Sequence, residues 1–288
     1  MTAISERRHL LNLAYRLLGS LAEAEDVVQE TYARWYAMTR SEQEAIDSPG
    51  AWLSTVAGRL SLNQLTSARA RRERYVGDWI PEPLPDPISD PAEHVTLDES
   101  VSMAFLVMLD AMTPAERVAF ILHDVFRFSF AEIAEVVGRT PAASRQLASS
   151  ARRRLRSGPA RPGTAAEHAG LVRDFRRAWE AQDLGALLGL LDPDATAVAD
   201  GGGLALTFPH PIEGRDAVAS TWIALAARAT GGQTIRERTV SGQPGLVVEQ
   251  DGAVVTVFAF GFADDRITRI WVVRNPEKLR LWTAVPAP

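Results

Sequence analysis

Five prolines, Pro81, Pro83, Pro85, Pro87 and Pro91, fall within eleven residues. Proline has no backbone N–H, and its ring clashes with the preceding helical turn. No helix and no central strand can therefore run through this stretch. It reads as an extended, semi-rigid linker. The chain on either side must close its own core. A length of 288 residues suits two or three domains. A shorter break, Ser157 to Gly163, sets off a third segment.

Residues 1–75 read as helices. His9 to Leu18 puts Leu10, Leu13, Ala14, Leu17 and Leu18 on one face, and Gly19 suits the position just past the helix end. Ser20 with Glu23 three residues on is a capping box. It opens a helix carrying Val27, Val28, Tyr32, Trp35 and Tyr36. Ser48-Pro49 starts another, running from Trp52 through Asn63 into the basic run Arg69 to Arg74. That run is read equally well as a helix C-terminus complementing its dipole or as a nucleic-acid contact.

Beyond the linker at 76–97, helices resume near Leu97, and Thr113-Pro114-Ala115-Glu116 is a further cap. Phe130 to Val137, Gly138 and Thr140-Pro141 spell a short helix, a tight turn and a second helix. Residues 98–158 thus have the layout of a DNA-reading helix-turn-helix. Spacing predicts a buried stripe of Ala143, Leu147, Ala151 and Leu155. The other side carries Arg145, Gln146, Ser149, Arg152, Arg153 and Arg156, with five arginines and no acid between Arg145 and Arg156. Arg145 and Gln146 can pair bidentately with base edges. Arg152, Arg153, Arg154 and Arg156 suit phosphate, which positions without specifying.

The segment 164–288 changes character. Thr164 with Glu167 caps a helix carrying Leu171, Val172, Phe175 and Trp179, and Asp183 caps a shorter one. Strands follow at Thr234–Val240, Leu246–Glu249, Val254–Phe262 and Ile267–Arg274, interrupted upstream by one helix, Asp216–Ala229, which Asp216 is expected to cap. Asp251-Gly252 between β-branched runs is a hairpin signal. The expected fold is multidomain. Two all-α domains, a helical bundle and a helix-turn-helix, precede an α+β domain with a curved antiparallel sheet.

Composition narrows the function. There is no cysteine, which excludes a disulfide scaffold and thiolate metal sites. No cofactor and no metal are expected. The start of the chain lacks a signal core, and no apolar run reaches membrane length, so a cytoplasmic protein with no membrane role is expected. Net charge is −5. Residues 1–160 hold 18 basic and 21 acidic side chains, so even the DNA-facing part is slightly acidic. Bulk coating of nucleic acid is excluded. Reading DNA at two local basic faces, on a chain delivered by a partner, is not. Lys278 is the only lysine among 31 basic residues.

These pieces in this order resemble the extracytoplasmic-function RNA polymerase sigma factors over roughly Glu6 to Arg156. Ala24-Glu25-Asp26-Val27-Val28-Gln29-Glu30-Thr31 is similar to the region 2 helix that docks on the clamp of the polymerase's largest subunit. The resemblance implies docking roles for Asp26, Gln29 and Glu30. Pro49-Gly50-Ala51-Trp52-Leu53 and Asn63 resemble the part that melts and reads the −10 element. Thr113 to Arg156 resembles region 4, which reads the −35 element and meets the β subunit flap. Flipped bases need aromatic stacking and basic side chains. Trp52, Arg59, Asn63, Arg69 and Arg71 are the candidates, with a buried core role as the alternative for Trp52.

Residues 164–288 resemble the SnoaL-like cone fold that marks one group of these sigma factors. Three motifs carry this: Trp79-Ile80-Pro81-Glu82-Pro83, Asp200-Gly201-Gly202-Gly203 and Asn275-Pro276-Glu277-Lys278-Leu279. The chain departs from the group's pattern at Ile80, at Leu204, where a basic residue is expected, and at Glu277. The resemblance implies that the extra domain regulates the sigma factor in cis. An extended Trp79–Pro83 segment packed on the cone would then set the spacing of regions 2 and 4. Related cone folds include cyclases and isomerases. Asp194, Asp200, His210 and Asp216 are the acid–base candidates, and Trp179, Phe208, Trp222, Phe260 and Trp271 the candidate walls, but spacing assembles no catalytic set from them. A small-molecule ligand in this domain stays open. A ligand-responsive helix-turn-helix regulator and a cyclase with an appended DNA-binding part are the competing readings. Neither gives the Asp26–Glu30 helix a job.

Overall fold

The computed structural model describes residues 3–72, 75, 77–86, 101–155, 164–228 and 232–283, with backbone alone at 3–5, 68–72 and 283. The side chains of Arg69 and Arg71, and Arg156, Pro87, Pro91, Leu97 and the Ser157–Gly163 break, lie outside what is described. The chain forms two compact units. Among the described residues the first, within 1–74 and 106–158, is helical; the second lies within 75–89, 101–105 and 159–288.

In the helical unit, α1 (Ala3–Leu18) and α2 (Leu21–Ala37) are joined by Gly19, whose φ of +72° is the left-handed cap expected from the sequence. Ser20 caps α2 by accepting from the Glu23 amide. A one-turn helix, α3 (Arg40–Glu44), precedes the long α4 (Pro49–Arg72). Leu10, Leu13, Leu17 and Leu18 are buried as the periodicity requires, against Val27 and Val28 of α2 and Leu53 and Val56 of α4. Tyr36, read onto the same face, is instead 72% exposed, because the buried stripe of α2 runs through Ala24, Val27, Val28 and Thr31.

α5 (Met103–Asp110) leads to α6 (Pro114–Phe120), which the Thr113–Glu116 capping box opens and a π-helical turn, Ile121–Val125, extends. α7 (Phe130–Val137), Gly138 at φ +64° and α8 (Pro141–Leu155) are the helix-turn-helix. On α8 the expected stripe holds at Ala151 and is off by one residue at the two positions before it. Ser144, Ala148 and Ala151 are buried, whereas Ala143, Leu147 and Leu155 are only half-buried. α8 lies close on α6 and α7. Small side chains fit at such a contact and the leucines fill its rim.

The second unit is the α+β domain. α9 (Ala165–Glu180) and α10 (Leu184–Leu190) lead into β1 (Leu191–Asp200) and β2 (Ile212–Glu213), and then α11 (Arg215–Ala227). β3 (Gln233–Val240), β4 (Gln243–Gln250), β5 (Ala253–Ala263), β6 (Arg266–Val273) and the short α12 (Arg280–Thr283) complete it. The sheet order is β2-β1-β6-β5-β4-β3. Every neighbouring pair is antiparallel, as expected, except β1 and β6, which run parallel. The register shifts at Val248/Glu249 and at Gly261/Phe262, an interruption of the ladder that goes with bending of a sheet. The Asp251-Gly252 turn forms with both φ positive, as the hairpin signal requires. Asp216 does not cap α11: Gly214 occupies that place at φ +86°, with its carbonyl accepting from Val218. Phe175, Trp179, Trp222, Phe258 and Phe260 build the core between sheet and helices.

Candidate functional site

The exposed side of α8 carries Arg145, Gln146, Ser149 and Arg153. Arg145 lies over the Phe130 ring at 5.0 Å. Two other arginines are engaged by neighbouring groups outside α8. Arg152 forms a fork on Asp124, with Nε and Nη2 each 2.9 Å from a carboxylate oxygen. Arg154 donates to the Ala111 carbonyl at 3.0 Å and lies 3.6 Å from Glu116. Glu116 is held below the ordinary carboxylate range. Its burial works against ionisation, and hydrogen bonds from Ser150 and Thr113 outweigh that.

On α2, Asp26, Gln29 and Glu30 are exposed and share one face at spacings of three and four. Glu30 pairs with Arg34 at 2.9 Å. Trp52 is half-buried, its ring 5.3 Å from Trp35 at the end of α2, so both readings of Trp52 meet in one partly exposed pair. Arg59 and Asn63 are exposed on α4.

The helices before and after the linker pack directly on one another. Arg59 donates twice to the Glu135 carbonyl of α7, at 3.1 and 3.0 Å. Gly58 lets this approach happen: a Cβ there would stand 3.0 Å from Val136 Cγ1 and 3.7 Å from Leu122. Arg117 of α6 donates to the Leu17 carbonyl at 2.9 Å, and His9 of α1 meets the Phe126 ring edge-on at 5.4 Å. Burial lowers the His9 pKa.

The described part of the linker belongs to the α+β unit. Residues 77–86 contain no helix, and Pro81 to Pro85 are buried. Leu84 exchanges two hydrogen bonds with Ser241, its N–H to Oγ at 3.1 Å and its carbonyl to the Ser241 N–H at 2.7 Å. Pro85 bridges Val240, so the linker adds a short extended stretch beside the β3–β4 turn. Trp282 donates its indole N–H to the Pro83 carbonyl at 2.8 Å.

Asp200 is the centre of this clasp. Its fully buried carboxylate accepts from Tyr75 Oη at 2.7 Å, Ile80 N at 3.0 Å, Gly202 N at 3.0 Å and Lys278 Nζ at 2.6 Å. Lys278 Nζ also donates to the Ile80 carbonyl and sits 4.3 Å from the Trp79 ring centre and 5.4 Å from that of Tyr75. Asn275 donates to Tyr75 Oη at 2.9 Å. Burial, then the Asp200 hydrogen bond and charge, push the Tyr75 hydroxyl well above its ordinary pKa. The glycines make room. A Cβ on Gly201 would strike the Ala205 carbonyl at 2.2 Å, and one on Gly202, at φ +62°, the Asn275 amide at 2.4 Å. Leu279 is buried, Glu277 and Pro276 are exposed, and Leu204 is 65% exposed.

The three motifs thus meet in space through Trp79, Ile80, Asp200, Gly202, Asn275 and Lys278. Tyr75, Ser241 and Trp282 join them unannounced. Tyr75 stood in the sequence only as the residue after a basic run, and Ser241-Gly242 was an unused turn signal between two apolar runs.

A cavity of about 780 Å³ opens in the same unit. Trp179, Phe208 and Trp222 line it, as the list of wall residues allowed; Phe260 and Trp271 do not. Trp271 alternates with the core residues Ile270 and Val272 and so faces the other side of the sheet. None of Asp194, Asp200, His210 and Asp216 lines it either.

Residues 4–71 match the family model of Sigma-70 region 2, and residues 102–155 that of Sigma-70 region 4. The ECF RNA polymerase sigma factor SigJ of Mycobacterium tuberculosis (strain H37Rv) is 37% identical over 94% of this chain and 90% of its own length. The chain belongs to the extracytoplasmic-function sigma factors of RNA polymerase. The probable sigma factor SigI of the same species (strain CDC 1551) is 34% identical over 96% of this chain and 92% of its own. The crystal structure of M. tuberculosis SigJ matches with a TM-score of 0.78 at 35% identity, covering 96% of this chain and 97% of that one. This sigma factor therefore binds core RNA polymerase and promoter DNA and directs initiation. The α+β domain, shared along the whole matched length, agrees with a SnoaL-like cone. Among the described residues no helix is long and apolar enough to cross a membrane.

Proposed function

We propose that this alternative sigma factor is regulated in cis by its cone domain, through the clasp on the linker. The observation that carries the proposal is the buried Lys278–Asp200 pair closing on the backbone of Ile80. Tyr75 and the described linker residues from Ile80 to Pro85 are tied to the domain that follows both DNA-reading regions. Ordering them restricts where regions 2 and 4 can go.

The separation matters. Elements named −10 and −35 lie about 25 base pairs apart, or ~85 Å at about 3.4 Å per step. A compact unit of roughly 150 residues is only about 40 Å across. With Arg59 on Glu135 and Gly58 against Val136, regions 2 and 4 share one such unit. They must part before both elements are read at once. Arg59 marks the conflict: it is a candidate −10 contact engaged by region 4.

In the open form the roles divide as follows. Asp26, Gln29 and Glu30 meet the clamp of the largest subunit, and region 4 meets the β flap. Trp52, Arg59 and Asn63, with Arg69 and Arg71, hold the melted −10 strand. Arg145, Gln146 and Ser149 read the −35 major groove, and Arg153 takes phosphate, joined by Arg156. Run-off transcription with core polymerase tests the reading. The full-length chain should initiate from its promoter, Trp79→Ala should raise output, and Glu30→Lys should abolish it. No core-dependent initiation by any of the three would sink the sigma reading. Equal output from wild type and Trp79→Ala would sink the regulatory one.

A further inference from the structure

The cavity of the cone domain is lined in part by residues next in the chain to those of the linker clasp, Ala199 before Asp200 and Arg274 before Asn275. The cavity is mostly apolar, with Trp179, Phe208, Ile235, Val248 and Phe258 among its lining. Two polar groups stand out. Trp222 is fully buried, lines the cavity, and its indole N–H has no protein partner. Arg274 lines the cavity too, and its buried Nε has no protein partner. Both are donors only, and one is cationic. A buried donor keeps its desolvation cost until an acceptor meets it. An acid with an apolar body supplies what both lack: a carboxylate for the guanidinium and indole, and carbon for the aromatic wall. The other ionisable lining groups, Glu180 and Arg228, are exposed.

Arg274 also stands at the hinge of the clasp. Its own N–H and that of Asn275 both donate to the Asp200 carbonyl, at 2.7 and 3.0 Å. Its Nη1 donates to the Leu206 carbonyl, which holds the loop following Gly201-Gly202-Gly203. Leu206 itself lines the cavity and is 88% exposed. Ala199 and Val272, the neighbours of Asp200 and Val273 on the parallel β1–β6 pair, line it as well. A carboxylate drawing on Arg274 competes with the Leu206 carbonyl. The loop and the Asp200–Asn275 corner that grips Tyr75 and Ile80 then respond together.

We propose that this cavity binds a small carboxylic acid with an apolar body, that Arg274 is its anion partner, and that occupancy changes how firmly Ile80 is held. The site stands on its own; its effect on transcription rests on the cis-regulatory reading above.

The test uses the full-length protein and four probes: decanoate, 1-naphthoate, and the neutral decanol and 1-naphthalenemethanol. Calorimetry should show at least one acid binding about ten-fold more tightly than its alcohol, the scale of one charge-assisted hydrogen bond. Arg274→Gln should erase that preference. Trp222→Phe keeps an aromatic ring but removes the indole N–H together with the pyrrole portion, so it should weaken the acid more than the alcohol. Equal binding of acid and alcohol, or no binding of either acid at millimolar concentration, overturns the site. Hydrogen exchange at the Ile80 amide should change on adding the acid that binds and not with its alcohol. Binding without such a change overturns the coupling. Binding and exchange that both respond while run-off output stays constant leave site and coupling standing and overturn the regulatory reading instead.

Discussion

Lys278 Nζ lies 2.6 Å from Asp200 Oδ2, in an ion pair whose acid side is fully buried and whose base side is 10% exposed. Removing one partner of a buried pair leaves a charge without compensation, at a cost of about 3–5 kcal/mol. Lys278→Met should therefore lower the stability of the cone domain by roughly 3 kcal/mol in urea unfolding. Lys278→Arg should also lose stability, because a planar guanidinium does not replace a compact ammonium set between Trp79, Tyr75 and the Ile80 carbonyl. Stability equal to wild type in Lys278→Met would remove Lys278 from the centre of the clasp.

Gly58 faces Val136 with no room for a Cβ at ordinary contact distance. Gly58→Leu should drive regions 2 and 4 apart while α4 stays helical. Overpacking costs about 1–3 kcal/mol, which shifts a two-state equilibrium by roughly 5- to 150-fold. Promoter output should rise and far-ultraviolet circular dichroism should hold. A fall in output with intact helicity would mean that the packed arrangement is needed for initiation.

His9 lies on the region 4 ring of Phe126, and burial lowers its pKa from the ordinary 6.5. The unfolded chain takes up a proton at 6.5, and the folded one only at lower pH. Stability is thus complete above that value and declines as pH falls from 6.5 toward the folded pKa. Hydrogen exchange of α1 amides should speed up across this window, and His9→Phe should flatten the response. Glu116, whose pKa is lowered, acts in a separate window: its contribution is present above the ordinary carboxylate value and fades only as pH falls below it.

On α8 the exposed arginines divide by role. Arg145→Ala should cost about 1–3 kcal/mol and relax preference at one −35 base pair. Arg153→Ala should weaken all sequences alike and reduce the salt slope by about one. Binding of the holoenzyme to promoter variants over a salt series separates the two.

Local signals in the chain were readable because their physics is local. Thr113 with Glu116, Thr164 with Glu167, Gly19 and Asp183 each cap the helix they announce. The apolar face of α1 and the strands β3 to β6 follow their periodicities to within a few residues. Contacts between distant residues were not readable. Nothing near Asp200 says that Tyr75 will reach it across 125 positions, or that Trp282 will bond Pro83 across 199. The parallel β1–β6 pair is likewise a matter of topology. On α8 the pattern found Ala151 but missed Ser144 and Ala148 by one position, since leucine marks hydrophobicity while the tight contact selects small side chains. Arg152 looked like a phosphate ligand from its charge, but its fork is engaged by Asp124.

The chain has no cysteine, so Ala33→Cys on α2 and Arg139→Cys beside α8 can be spin-labelled without background. Pulsed electron resonance then gives the distance between regions 2 and 4. The account predicts a short distance in the isolated full-length protein, a longer one in Trp79→Ala, and the longest in the complex with core polymerase and promoter. One unchanging distance across all three would contradict it.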